Sequence, residues 1–216
     1  MNYLVIDLEM CNVPKHYRSS RYPYKNEIIQ IGAVLLDENF EIIESMNQYV
    51  KPVYGVLDYF ISSFTGIEKQ KVKNAPELKE VLLQMMDWLG EREYQIFQWS
   101  NTDYYQLKHE VCSKNLLDEK IERFMEPVRW VDYQKIFGNR FGFSRAVSLE
   151  DALKCCEIEV EGRLHDGLAD AVNTSKLIRW LESNPEFEIE EIEEVPKEEE
   201  RLNYSLGNLL AAFQFD

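Results

Sequence analysis

A chain of 216 residues, 45% of them hydrophobic, is long enough for one α/β domain with a sizeable core and too short for two ordinary domains plus linkers. Its sequence contains no run approaching the roughly 18 apolar residues of a membrane span, and Met1 leads into a strand-like segment without a basic leader, so a cytoplasmic protein with no membrane association is expected. A net charge of −15 argues at first against a nucleic-acid partner, but ten Glu and one Lys between positions 182 and 200 carry −9 of it, leaving −6 elsewhere.

Residues 3–7 form a short apolar run ending in acids, and 27–36 followed by 40–50 reads as two strands joined by a turn at 37–39. These predict an opening three-strand meander. The stretch 11–26 carries Pro, Ser, Tyr and basic residues without a period, a long loop of the kind that tends to be functional. Lys15, His16, Arg18, Arg21 and Lys25 concentrate positive charge there, as Lys69, Lys71 and Lys73 do further on. A short helix is expected around 58–66, closed by Gly66. The next begins near Pro76, shows Leu78, Val81, Leu82, Met85, Trp88 and Leu89 on one face, and ends at Gly90.

Residues 94–99 read as a buried strand and 103–113 as a helix after it. Ser148-Leu149-Glu150-Asp151 has the form of a capping box opening a helix to Cys156, and 166–181 supplies the last strong helix. A meander followed by helices and one further strand fits an α/β sheet with helices against its faces. The expected domain is 1–182, followed by an acidic linker at 183–200. The apolar segment 201–216 could dock on the domain, on a protein partner or on a second copy. Cys11, Cys112, Cys155 and Cys156 show no CxxC spacing, so reduced thiols are expected rather than a disulfide framework or a zinc site.

Ile6-Asp7-Leu8-Glu9-Met10 places two carboxylates at i, i+2, which on a strand point to the same face. Two buried carboxylates repel unless a cation compensates them, although D-x-E alone also describes a pair of surface acids. A second group is Leu164-His165-Asp166-Gly167-Leu168-Ala169-Asp170, where Asp170 lies one turn along a helix that His165 precedes. Asp103, after the strand at 94–99, could serve as an ordinary helix N-cap. The three pieces fall at the end of a first strand and at the starts of a middle and a late helix.

With these residues in place, the chain resembles the DEDDh 3′-to-5′ exonucleases over residues 1 to about 182, which implies a ribonuclease-H-like α/β fold with a mixed central sheet flanked by helices. Asp7 and Glu9 match the family's first motif, Asp103 its second, and His165 with Asp170 its third. Glu27-Ile28-Ile29-Gln30-Ile31-Gly32-Ala33 is similar to its second strand and Phe64-Thr65-Gly66-Ile67 to its LTGI element. Lys51-Pro52 and Trp99 are most similar to the subgroup of histone-mRNA and small-RNA exonucleases. Cys11 stands where a threonine is usual and Gly167 where alanine is common, departures that bear on the terminal-nucleotide pocket.

Four carboxylates suit hard, oxygen-seeking Mg²⁺ or Mn²⁺, and two such ions about 4 Å apart can hold a scissile phosphate. On that scheme Asp7 bridges both ions, Glu9 and Asp170 complete the nucleophile side, Asp103 serves the other ion, and His165 takes the proton from the attacking water. Glu27 is read as supporting. The substrate implied is the 3′ end of RNA or single-stranded DNA, gripped by stacking and backbone charge, with Met10, Phe64, Trp99 and the 17–24 loop as contacts. Two other readings remain open: a catalytically silent RNA-binding or protein-interaction module on the same fold, and a metal phosphatase acting on small esters.

Overall fold

The structure, a computed structural model, describes residues 1–189. Its contacts divide the chain into one unit, Met1–Glu186, and a second, Phe187–Asp216. Most of the acidic stretch and the whole of 201–216, with its expected docking role, lie outside the described residues.

The first strand is longer than its apolar run alone suggests. β1 (Asn2–Asn12) pairs antiparallel with β2 (Asn26–Leu36) from Tyr3 to Asn12, so the ladder carries the chain straight past both acids instead of ending at Asp7. The register shifts between Glu9 and Met10, where Ile29 is the extra residue of β2, a bulge opposite the acids. β3 (Ile42–Tyr49) follows antiparallel to β2 after a turn in which the Asp37 carboxylate accepts from the Asn39 and Glu41 N–H groups at 2.8 and 2.9 Å. The expected meander is therefore present.

Then the sheet changes sense. β4 (Tyr94–Gln98) lies parallel to β1 and β5 (Trp130–Asp132) parallel to β4, giving a five-stranded mixed sheet in the order β3-β2-β1-β4-β5 among the described residues. β5 has three residues, too short for alternation to show in the sequence, and it forms on the edge that β4 offers.

α1 (Tyr59–Thr65) is capped by Asp58, whose carboxylate accepts from the Ile61 N–H, and it stops at Gly66, whose φ of 76° is the left-handed conformation that glycine adopts freely. α2 (Lys69–Lys73) is a short turn before α3 (Leu78–Leu89). α4 (Thr102–Ser113) follows β4, and α5 (Glu119–Phe124) and α6 (Tyr133–Phe141) flank β5. α7 (Leu149–Cys155) opens on the expected capping box: Ser148 Oγ accepts from the Asp151 N–H at 3.1 Å and donates to its carboxylate at 2.8 Å. α8 (Gly167–Ser183) closes the unit.

Period-two alternation sorts the two faces of the sheet. Leu4, Ile6, Leu8, Ile31, Ala33 and Leu35 join one core with the buried face of α3: Leu78, Val81, Leu82, Met85, Met86 and Leu89. Burying each such side chain contributes about 1.5–3 kcal/mol, which fastens α3 to the sheet. The other face carries Asp7, Glu9, Gln30 and Gly32, and α8 packs there.

That packing is unusually close at one point. A Cβ on Gly32 would lie 2.0 Å from the carbonyl carbon of Gly167, so the two backbones touch with no room for a methyl group. Gly32→Ala must therefore push the start of α8 off the sheet. We expect a loss of about 3 kcal/mol or more, at or above the upper end of ordinary overpacking, read by urea unfolding followed through tryptophan fluorescence. A change under about 1 kcal/mol would show that the helix start yields freely.

Candidate active site

Asp7 and Glu9 stand on β1 opposite Gly32 and Gln30 of β2. Beside them, β1 and β4 run parallel, so the C-terminal end of β4 delivers the chain to the same edge, where ligand crevices of α/β sheets form. Asp103 is the second residue of α4, not its N-cap: Asn101 occupies the cap position, and the Asp103 carboxylate is buried. The first turn is held by Gln98, a buried β4 side chain whose Oε1 accepts from the Tyr104 N–H at 2.8 Å.

Asp170 lies in the first turn of α8 and accepts from the His165 backbone N–H at 2.9 Å. That bond folds the chain back so that His165 sits above the start of the helix, with a positive φ of 63°. Glu9, His165 and Asp170 each present a ligand atom within 4.8 Å of the others. The second carboxylate oxygen of Asp170 is buried without a hydrogen-bond partner among the described residues. A buried, orphaned carboxylate oxygen beside another acid and a histidine is the donor set a cation would satisfy.

Electrostatics agree. Burial pushes Asp7 well above the usual carboxylate range, and the nearby charges of Asp103, Asp170, Glu9 and Asp166 push it further. Glu9 is raised by burial, then by Asp170 and Asp103. Asp103 is raised by burial and by Asp170, while Asp170 is raised by burial against the lowering effect of its bond from His165. His165 moves the other way: burial lowers its imidazole, with Glu150 opposing and Arg163 assisting, so the ring is neutral near pH 7.

Of the three side chains expected to contact a substrate, Phe64 meets this cluster. Its ring stacks on the His165 imidazole with centroids 4.0 Å apart and planes 26° from parallel. Met10 is buried in the core below the bulge. Trp99 is buried too, its indole N–H donating to the Val147 carbonyl at 3.0 Å and its ring against Phe137. Glu27, across the ladder from Cys11, is engaged elsewhere. Its carboxylate accepts from the N–H groups of Val53, Tyr54 and Gly55 and pairs with Lys114 at 2.6 Å, tying the loop before α1 to α4. The loop at 13–25 is closed at its base by the Val13 N–H donating to the Lys25 carbonyl, with Lys15, His16, Tyr17, Arg21 and Lys25 exposed.

Two contributors escaped the sequence. Arg163 reaches back to the Ser63 and Phe64 carbonyls and so clasps the end of α1 beside His165. Gln30, a polar residue inside an apolar strand run, bonds to Asp166 and Gly167. Its placement there was a signal, because a polar side chain in the middle of a buried strand needs partners.

A family model described as Exonuclease matches residues 4–178. The chain belongs to the exonuclease family. 3′-5′ exoribonuclease 1 of Homo sapiens is 28% identical to it over 178 residues, covering 78% of this chain and 50% of that protein. ERI1 exoribonuclease 2 of Xenopus laevis is 31% identical over 173 residues, covering 70% of this chain and 25% of that protein. This exonuclease-family chain thus spans half the length, or less, of these curated relatives. Among solved structures, the nuclease domain of 3′hExo, a DEDDh family member bound to rAMP, matches with a TM-score of 0.68 at 24% identity, over 85% of this chain and 92% of that one. E. coli exonuclease I in complex with a dT13 oligonucleotide matches with a TM-score of 0.61 at 15% identity, over 85% and 42%. The ribonuclease-H-like fold that the resemblance implied is the fold observed.

The raised carboxylates set the sign of a pH effect. Groups whose folded pKa exceeds the unfolded value stabilise the fold at low pH and lose that contribution as pH rises through the folded value. In EDTA the thermal midpoint is therefore expected to fall between about pH 5 and pH 8, and saturating Mn²⁺ is expected to flatten the slope. Asp7→Asn, which relieves repulsion, is expected to raise the metal-free midpoint by about 2–4 °C per kcal/mol released. A midpoint in EDTA that climbs across this range would show that the acids do not repel.

Proposed function

We propose that the protein is a metal-dependent 3′-to-5′ exonuclease that releases nucleotides from the 3′ end of RNA or single-stranded DNA. The observation that carries this reading is the convergence of Asp7, Glu9, Asp103 and Asp170 with His165 at one edge of the sheet, including an orphaned Asp170 oxygen. Asp7, Glu9, Asp103 and Asp170 would hold two Mg²⁺ or Mn²⁺, and ions bound there would supply a water of lowered pKa and neutralise charge on the scissile phosphate and the leaving 3′ oxygen. Burial keeps His165 neutral, so its ring can accept the proton of the attacking water. Phe64, stacked on that ring, gives the terminal base an apolar face, while buried Met10 and Trp99 would shape the pocket through packing.

RNA is the first substrate to test, since the curated relatives are named exoribonucleases. The exposed basic loop at 13–25 offers charge for the strand's phosphates despite the overall acidity. Four free cysteines fit a reducing, cytoplasmic setting.

Purified protein with Mn²⁺ is expected to shorten 5′-labelled RNA and DNA single strands one nucleotide at a time, and excess EDTA should stop it. A 3′ phosphate should slow the reaction and a circular strand should resist it; efficient cutting of a circle would make the protein an endonuclease. His165→Ala is expected to lower the rate by about 10²–10⁴-fold, the range for loss of a general base, while Mn²⁺ binding survives. An unchanged rate in that variant would require a different base. No shortening of any strand would favour the silent binding module.

A further inference from the structure

We propose that Gln30 is a positioning residue whose amide, paired with the Asp166 carboxylate, sets where His165 and Asp170 stand relative to the acids of β1. This rests on the reading of the acid cluster as the metal and reaction site. Gln30 is fully buried and lies directly across the ladder from Glu9, at the bulge. Its Oε1 accepts from the Gly167 N–H at 3.1 Å, and its Nε2 donates to Asp166 at 3.1 Å and to Asn47 Oδ1 at 2.9 Å. The orientation of the amide is dictated by its partners, because a backbone N–H can only donate and a carboxylate can only accept.

Asp166 works on both sides. One oxygen takes the Gln30 amide; the other caps α8 by accepting from the Ala169 N–H at 3.1 Å. The first turn of α8 is thus bonded to β2 by side chains at the point where Gly32 and Gly167 touch. His165 precedes that turn, Asp170 lies in it, and the two are bonded to each other, so a shift of Asp166 moves them together. Gln30 lies beneath this turn and acts on the reacting groups only through it.

The donor–acceptor pairing makes the idea testable by exchange. Glu at position 30 would keep the acceptor for Gly167 but set a carboxylate against Asp166, beside acids that already repel. Asn at position 166 would keep the cap but oppose one NH₂ group to another. Made together, the two changes restore one donor and one acceptor with the direction reversed, and the Asn47 amide, which in the wild type donates nothing to position 30, turns over to present its NH₂ to the new carboxylate.

The experiment compares wild type, Gln30→Glu, Asp166→Asn and the double variant, reading Mn²⁺ affinity by electron paramagnetic resonance, the thermal midpoint in EDTA, and kcat and KM on a labelled RNA strand. Each single change is expected to weaken Mn²⁺ binding by about 10–100-fold, the range seen when the partner of a ligand's support is lost. kcat should fall with it and KM should change little, and the double variant should recover most of the loss in affinity, midpoint and kcat. A Gln30→Glu protein that fails to fold while the double variant folds gives the same answer. Additive losses, loss of the fold in both, or a raised KM with kcat intact would overturn the proposal. A wild type that binds Mn²⁺ but hydrolyses nothing would refute the exonuclease reading while leaving recovery of affinity and midpoint as the measure of Gln30.

Discussion

The contact between the backbones of Gly32 and Gly167 governs the rest of the architecture. α8 brings His165 and Asp170 to the sheet, while Asp7 and Glu9 belong to the sheet itself, and Glu9 comes within ligand distance of His165 and Asp170 only if the helix start lands on the strand without side chains between them. A Cβ on Gly167 would also stand 3.3 Å from the Asp7 carbonyl and 3.2 Å from the Gly32 nitrogen. A methyl group there needs its neighbours to give only slightly, so the strict demand for glycine falls on position 32.

Bringing the acids so near each other sets one half of the sheet against the other. The α3 face is an apolar core whose burial favours the fold, and the α8 face gathers carboxylates that resist it. Two helix starts offset part of that resistance, since Asp103 and Asp170 sit in the first turns of α4 and α8, where the helix dipole favours negative charge. Away from the site, Glu27 and Glu110 share Lys114 in a second buried charge cluster, and each carboxylate there is satisfied by hydrogen bonds. By contrast, one oxygen of Asp170 is left without a partner among the described residues.

Much of this was legible from residue order. The i, i+2 acids predict a shared strand face, and the His165 to Asp170 spacing predicts one end of a helix; both follow from backbone periodicity. α1, α3, α7 and α8 announce themselves through caps and a 3.6-residue pattern. α5 and α6 also carry aspartate caps, at Asp118 and Asp132, that the sequence-based expectations missed, whereas β5 has three residues and forms on the parallel edge of β4. Met10 and Trp99 read as substrate contacts because type and proximity to the acids suggest it. Met10 follows the alternation of Leu4, Ile6 and Leu8 onto the core face, a direction the strand period carries, whereas the direction of Trp99 rests on an indole bond to Val147, a tertiary fact with no local trace. Gln30 shows the reverse case, a local oddity whose meaning came from a partner 136 residues away.

The left-handed backbone at His165 has a bearing on how this position can change over generations. At φ of 63°, β-branched residues are strongly disfavoured, whereas glycine, asparagine, aspartate and histidine settle with little strain. Apart from histidine itself, the residues that the backbone accepts most readily there supply no imidazole, so the backbone conformation alone does not call for a histidine at this turn. Asparagine here is also the replacement that removes the ring while leaving the backbone at ease.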